Sequence, residues 1–298
     1  MYRNMNPSAL GVSGRQSEIL EIALTYRFKG IDVDLGDLVK RAKTSSVENA
    51  CKYLVSAKVK IGGSEVPFRW RGAEADFKAD LADLPVLGEV AKALGADRVH
   101  TIVHAHSDSL PMHDNFKFHT DRLTALAESL GSVGLKLAVG FQAAAPAKEG
   151  GHEFIKKVDG LLQLLSGVHS KHAGLLLDVW SWHVGGGKLD QIKPAQVLSV
   201  RLADLSPEAN LAEVKESDRL LPGDGGAVDA GAFLQTLEQA GYEGPVSPFP
   251  HPSQFTGRTR ESNVMRAAAA LDALWSSAGL KGAVRPAVAP APTSPGKP

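Results

Sequence analysis

Cysteine is almost absent from this sequence, in which Cys51 is the single example among 298 residues. One thiol cannot form an intramolecular disulfide and cannot supply a cysteine-rich zinc site. Cys51 has no histidine nearby in the sequence, which favours a packed residue over a nucleophile. The sequence therefore predicts a protein that folds without disulfides, as in a reducing compartment.

An excess of charge of either sign is also lacking, because 33 Lys and Arg are balanced by 33 Asp and Glu. Nucleic acids and anionic membrane surfaces attract proteins through positive patches and the counterions that these release. A formal net charge of zero offers no such attraction. We therefore expect neither a nucleic-acid nor a membrane partner.

Long hydrophobic runs are missing too, since no segment approaches the ~18 consecutive apolar residues of a membrane span. Residues 1–14 lack the basic stretch and apolar run of a secretory signal. We expect a cytoplasmic protein. With 43% hydrophobic residues, the chain has enough apolar side chains to bury a core.

Short β-like runs alternate with longer stretches of helical apolar spacing along most of the chain. This alternation indicates parallel strands with helices outside, and eight units close a barrel. We predict a single-domain α/β fold, a (β/α)8 TIM barrel over residues 1–278; an open doubly wound sheet is the alternative. The predicted strands are Ala9–Ser13, Gly30–Asp34, Lys58–Gly62, Arg98–His104, Lys136–Phe141, Gly174–Trp180, Val197–Ala203 and Pro245–Phe249.

The last residues are rich in proline and alanine, reading VRPAVAPAPTSPGKP from Val284. Repeated prolines remove backbone donors, and small side chains bury little surface. We predict a disordered C-terminal tail over residues 279–298.

Functional residues of such a barrel lie at the carboxyl ends of its strands. His104 and His106 follow the fourth predicted strand, and period-two alternation puts them on one face. Two such imidazoles can share a divalent metal, or one can serve as acid/base while the other binds a hydroxyl. The structural alternative is one packed histidine and one solvated histidine.

The sixth and seventh strands carry buried charges. Asp178 follows three leucines, so it needs a cationic or metal partner, and Arg201 on the adjacent strand is the expected one. Trp180 shares the parity of Asp178 and is predicted to form a flat wall against a sugar ring, or to belong to the core. Arg219, in a turn-rich loop, is predicted to clamp a carboxylate or phosphate, or to form a surface ion pair.

These segments resemble the sugar phosphate isomerase/epimerase family with the xylose isomerase-like TIM barrel. The resemblance rests on GLLLDVWSW from Gly174, on SVRLADL from Ser199, and on RLLPGDGG from Arg219 through to His251. It implies a divalent metal at the barrel mouth, held by acidic residues and histidine from strands five to eight. In such a site the metal polarises a carbonyl while acid/base groups move a proton.

The sequence departs from the family at most of the implied ligand positions. Gly140 and Phe249 stand where strands five and eight supply glutamates, and Ser181 and Arg201 stand where histidines are usual. Asp178 alone is retained. The cofactor is therefore unknown: a divalent metal is expected from the family, yet most of its ligands are substituted.

Three hypotheses follow for a barrel whose partner is a small carbohydrate. The first is a sugar or sugar phosphate isomerase/epimerase in which Arg201 replaces the metal as the fixed cation, with catalytic residues Asp178, Arg201, His104 and His106. The second is a non-catalytic barrel that binds a carbohydrate or a protein, and the third is a relocated metal site built from Asp178, His104 and His106. Metal-dependent nucleases share this barrel, but the chain lacks their ligands and positive surface. Candidate substrate-binding residues are Trp180, His183, Arg219, His251, Gln142 and Arg69.

Overall fold

The computed structural model describes residues 1–144 and 151–282. In these ranges eight parallel strands form the barrel sheet: β1 (Tyr2–Met5), β2 (Gly30–Asp32), β3 (Lys60–Gly63), β4 (Arg98–Val103), β5 (Lys136–Phe141), β6 (Ala173–Asp178), β7 (Val197–Leu202) and β8 (Pro245–Pro248). Their order is β3-β2-β1-β8-β7-β6-β5-β4. The TIM-barrel prediction is confirmed.

The barrel closes between β4 and the residues that follow β3. His100 donates its amide to the Ser64 carbonyl at 2.8 Å, and Val66 donates to the His100 carbonyl at 3.0 Å. Glu65 and His100 form an isolated parallel bridge at this seam. The closing seam is therefore shorter than the ladders between the other neighbouring strands.

Helices surround the sheet and bury their apolar faces against it. On the longest helix, Leu123, Leu126 and Leu130 recur every three or four residues and are fully buried where it contacts β5 and β6. The helices are α1 (Gln16–Thr25), α2 (Leu35–Thr44), α3 (Val47–Ala57), α4 (Glu74–Asp80), α5 (Leu84–Leu94), α6 (Met112–Ser132), α7 (Val158–Gly167), α8 (Val179–Val184), α9 (Ala230–Gln239) and α10 (Arg260–Ser277). None of the helices in the described ranges is long and apolar enough to cross a bilayer.

The first strand was misplaced, and several others end earlier than predicted. The first strand is Tyr2–Met5, whereas Ser8–Leu10 form a 3-10 turn that ends at Gly11, whose φ of 63° lies in the left-handed region. The sixth strand ends at Asp178 and not at Trp180, because the Asp178 carboxylate accepts the amide of Ser181 and caps α8. The fourth strand likewise ends at Val103, before His104.

The predicted tail over residues 279–298 falls mostly on residues 283–298, which lie outside the described residues. Within the described part, Leu280 is buried and the amide of Lys281 donates to Glu238 at 2.9 Å. Barrel packing therefore continues past residue 278.

Candidate active site

A pocket of roughly 1000 Å³ opens at the carboxyl ends of the strands, on the side of the barrel formed by β1 to β4 and by β7 and β8. Parallel barrels place their functional groups at this end, since the loops that follow the strands converge there. The polar and aromatic side chains that line it include Asn6, Asp32, Glu65, His100, Arg201 and Phe249.

Asp178 is held by Arg219 and not by Arg201. Nη1 of Arg219 donates to both oxygens of Asp178 at 3.0 and 2.8 Å, and Nη2 donates to the Ser181 hydroxyl at 2.9 Å. Asp178 and Arg219 are only 4% and 5% exposed. Arg219 therefore does bind a carboxylate, but that carboxylate belongs to Asp178 of the protein and not to a ligand.

Glu216 is a second carboxylate on the same guanidinium. Its Oε2 accepts from Nε of Arg219 at 2.6 Å. Burial raises the pKa of Glu216, although Arg219 opposes the rise. Burial alone would lower the pKa of Arg219, but the charges of Asp178 and Glu216 outweigh it and the pKa is raised. This arginine is therefore a fixed internal cation with two acidic partners.

Trp180 lies under this network and does not line the pocket. It belongs to α8 and is fully buried, with the Arg219 guanidinium carbon 4.2 Å from the centre of its ring. The face of the Trp180 ring that was predicted to contact a sugar is therefore covered by the guanidinium of Arg219. The strand ends two residues earlier than predicted, at Asp178, so its alternation of faces does not extend to Trp180.

Arg201 lines the pocket instead. Its backbone is paired with Asp178 in the β6–β7 ladder, but its side chain forms no hydrogen bond or ion pair within the described residues. The guanidinium carbon lies 4.0 Å from the centre of the Phe249 ring, and the residue is 7% exposed. Burial lowers the pKa of Arg201, with Asp178 and Asp32 opposing it, and an arginine stays charged in proteins. The predicted direct pair with Asp178 was wrong, because Arg219 already uses both carboxylate oxygens.

Asp32, at the end of β2, is a pocket residue that the sequence reasoning missed. Asn4 donates to its Oδ1 at 2.7 Å and Asn6 donates to its Oδ2 at 2.8 Å. Burial raises the pKa of Asp32 against these two hydrogen bonds. Gly62 makes room for the arrangement, since a Cβ there would overlap the side chain of Asn4.

His100, within β4, was also missed. The residue is buried, its ring forms no hydrogen bond within the described ranges, and it lines the pocket. Burial and the nearby Arg201 hold the pKa of His100 well below its usual value. The imidazole is therefore neutral near pH 7.

The remaining predicted side chains are dispersed around the mouth. His104 is exposed. His106 begins a two-residue strand that pairs with Glu153, and its Nε2 is buried with no hydrogen-bond partner among residues 1–144 and 151–282. His183 lies on α8, Gln142 follows β5, and Nδ1 of His251 contacts the Ser253 hydroxyl at 2.8 Å. Arg69 lies at the pocket rim, where it forms ion pairs with Asp76 and Asp80 at 3.0 and 2.7 Å.

The residues present do not fit the divalent metal that the resemblance implies. Within the described residues, no three His, Cys, Asp or Glu side chains gather so that they could hold a metal ion, so His104, His106 and Asp178 do not form a ligand set. A Cβ on Gly140 would already contact Ile102 and Leu176 at 3.0 and 3.1 Å, which leaves little room for a glutamate. Asp178 is committed to Arg219.

Comparisons with known proteins agree with this architecture. The family model described as xylose isomerase-like TIM barrel matches residues 23–274. A xylose isomerase domain protein from Alicyclobacillus acidocaldarius superimposes with a TM-score of 0.82 at 21% identity, over 94% of this chain and 99% of that one. The IOLI protein, crystallised with zinc bound, gives a TM-score of 0.75 at 18% identity, over 93% and 99% of the two chains.

Inosose isomerase of Bacillus subtilis (strain 168) is a curated relative. It is 24% identical over 163 residues, which are 53% of this chain and 55% of that enzyme. The match therefore spans about half the length of the relative.

Proposed function

Because this chain belongs to the xylose isomerase-like TIM barrel family, we propose that it binds a small polyhydroxylated carbonyl compound, a sugar or cyclitol, at the mouth of the barrel and isomerises or epimerises it. The name of the inosose isomerase that it resembles supports a substrate of this class.

One observation carries the proposal: Arg201 is buried at the pocket and its guanidinium has no hydrogen-bond partner within the described residues. Buried polar groups are nearly always paired, and an arginine offers five donors. A bound carbonyl or hydroxyl oxygen accepts hydrogen bonds from one or two of these donors. When a proton leaves the adjacent carbon, the same donors stabilise the negative charge that develops on the oxygen.

The proposed chemistry does not use the family's metal site. Gly140 and Phe249 cannot replace carboxylate ligands, and Arg219 already supplies a cation to Asp178. Ligand binding and turnover are expected to be unchanged after dialysis against EDTA. A loss of turnover that returns on adding Zn²⁺ or Mn²⁺ would contradict this part of the proposal.

The test compares Arg201→Met with Arg258→Met, a change at an exposed arginine. Sugars, sugar phosphates and keto-cyclitols are screened by thermal shift and titration calorimetry, since specific binding raises the melting temperature. Hydrogen bonds to a charged group contribute about 1.5–3 kcal/mol, so Arg201→Met is expected to weaken Kd by roughly 10- to 100-fold. The Arg258 variant is expected to bind as the wild type does.

Turnover is followed by proton NMR in D₂O, which detects both the isomerised product and any exchange of the hydrogen beside the carbonyl for deuterium. A ligand that binds but gives neither product nor exchange overturns the enzymatic proposal and leaves the non-catalytic carbohydrate-binding barrel. An Arg201→Met protein that binds as tightly as the wild type overturns the role of Arg201.

A further inference from the structure

Two side chains beside Arg201 are placed to move protons, and neither lies on the strands where the family resemblance puts its acidic ligands. His100 is on β4 and Asp32 ends β2. Both line the same pocket as Arg201.

The His100 ring lines the pocket. The backbone amide and carbonyl of His100 form the barrel seam with Ser64 and Val66, which fixes the position of the side chain. The ring itself has no hydrogen-bond partner within the described part of the chain. Since buried polar groups are usually paired, a ligand hydroxyl or carbonyl is the natural partner.

The Asp32 carboxylate is held in a fixed orientation. Each of its oxygens accepts one amide hydrogen, Oδ1 from Asn4 and Oδ2 from Asn6. Asn4 is anchored in turn by donating to the Ser247 hydroxyl on β8 at 2.9 Å. Three strands therefore position one carboxylate, which is the arrangement that an acid/base group needs.

Gly63 keeps the space between the two groups open. A Cβ at this position would lie 3.3 Å from Nδ1 of His100 and 3.9 Å from Oδ1 of Asp32. Both proton-carrying atoms thus border one small volume. Arg201, on the opposite strand β7, also lines this part of the pocket.

We propose that Asp32 and His100 are the proton-transfer pair of this barrel, with Asp32 acting on carbon and His100 acting between oxygens. The inference rests on the proposed function and names the catalytic residues of the same pocket. The proposed acid/base groups lie on β2 and β4, whereas the resemblance implies acidic ligands on strands five, six and eight.

The step is balanced without any oxidant or added group. Asp32 takes the proton from the carbon beside the carbonyl, the C–H electron pair becomes a C=C bond, and the carbonyl π pair moves onto oxygen, where Arg201 donates hydrogen bonds. His100 receives the proton of the neighbouring hydroxyl and delivers one to that oxygen. Asp32 then returns its proton to the former carbonyl carbon, and the carbonyl re-forms at its neighbour.

The surrounding charges suit these roles. Burial raises the pKa of Asp32 towards the working range of a base, while Asn6, Asn4, Arg201 and Arg98 oppose the rise. Burial and Arg201 lower the pKa of His100, so its neutral ring can donate at one nitrogen and accept at the other.

The experiment uses Asp32→Asn and His100→Gln in the full chain, each with a matched control. Asp190→Asn makes the same change at an exposed carboxylate that does not line the pocket. His113→Gln changes an exposed histidine of α6. Circular dichroism and melting temperature check the fold of every variant.

Acid/base catalysis contributes roughly 10²- to 10⁴-fold, so deuterium exchange and kcat are expected to fall by about this factor in Asp32→Asn and His100→Gln. Kd for the compound found in the wild-type screen is expected to stay within a few-fold, because Arg201 remains. Gly63→Ala fills the shared volume and is expected to raise KM more than it lowers kcat.

The two proposals fail separately. A wild-type protein that binds no sugar or cyclitol overturns the proposed function. A wild-type protein that binds and exchanges, together with folded Asp32→Asn and His100→Gln variants that exchange at the wild-type rate, overturns the proton-transfer pair and leaves the proposed function standing.

Discussion

His119 is a buried titratable side chain outside the pocket. It lies on α6 with its Nδ1 2.9 Å from the Asn115 carbonyl, and its ring packs 4.8 Å from that of Phe154 and 5.4 Å from that of Trp70. Burial lowers the pKa of His119 to about 4. The folded protein therefore favours the neutral imidazole.

This histidine is expected to make the protein sensitive to acid. The unfolded pKa is about 6.5, so the stabilisation is complete above that pH and is lost as the pH falls towards 4, at a cost of at most about 3 kcal/mol. We expect His119→Phe to lose less unfolding free energy than the wild type between pH 7.5 and pH 4.5, measured by urea denaturation.

His113→Gln on the same helix is the control and is expected to follow the wild type, because His113 is exposed. Equal pH dependence of the wild type and the His119 variant would show that His119 does not protonate in this range.

Single residues mark the limit of what the sequence could predict about the site. Asp178, Arg201 and Arg219 were recognisable because a charge within an apolar strand or a turn-rich loop needs a partner. Which arginine pairs with Asp178 was not recognisable, because the partner comes from a loop 41 residues away. His100 was overlooked because its neighbours make Arg98–Val103 read as an ordinary strand, although a histidine at that parity faces the barrel interior.

At the scale of an element, the loop after β7 is organised by one carboxylate. Asp204 is 2% exposed and accepts five backbone amides, from Leu205, Gly223, Gly225, Gly226 and Val228, at 2.8 to 3.1 Å. A Cβ on Gly225 would collide with the backbone of Leu205, so the close approach requires glycine there. The PGDGG stretch therefore folds around the Asp204 carboxylate, to which three of its glycine amides donate.

Asp204→Asn is expected to loosen this loop. The asparagine amide has one acceptor oxygen, and its NH₂ group would face backbone donors. We therefore expect the variant to lose about 2–4 kcal/mol of unfolding free energy, because a few hydrogen bonds to a charged carboxylate are lost. Hydrogen exchange followed by mass spectrometry should show faster exchange across residues 223–228.

Asp224→Asn, in the same loop but exposed, is the control and is expected to leave exchange unchanged. If Asp204→Asn exchanges at the wild-type rate, the five amides do not depend on the charge of this carboxylate.

Elements were predicted well where apolar runs are bounded by turn residues, as for Lys136–Phe141, which the structure reproduces to the residue. The first strand was misplaced because Tyr2–Met5 carries polar residues on its inner face, where Asn4 serves the pocket, while the more apolar Ala9–Ser13 lies in a turn region. Because the inner face of this strand carries polar residues, the strand lacks the apolar run from which it would have been predicted.

At the scale of the whole molecule, β1 holds the barrel together. It pairs with β8 through Tyr2 and Arg3 and with β2 through Asn4 and Met5. Arg3 also forms an ion pair with Asp272 on α10 and lies over the ring of Trp275.

Deletion of residues 1–5 is expected to abolish cooperative thermal unfolding, because it exposes the edges of β2 and β8 and removes the anchor of α10. Far-ultraviolet circular dichroism melts and size-exclusion chromatography test this. Tyr2→Phe keeps the strand and removes one long hydrogen bond of 3.4 Å to Ile61, so it is expected to melt close to the wild type. A deletion variant with a wild-type melting temperature would contradict the role of β1.

The hydrogen bond from Asn4 to Ser247 joins residues 243 positions apart. During synthesis on the ribosome, β1 emerges before every other strand of the barrel, yet the residue that orients Asp32 gains its own anchor only when β8 has left the exit tunnel. The pocket therefore cannot be complete on a nascent chain until almost the whole barrel has been made, and a chain cut short before β8 would carry most of the pocket's side chains without the arrangement that gives them a function.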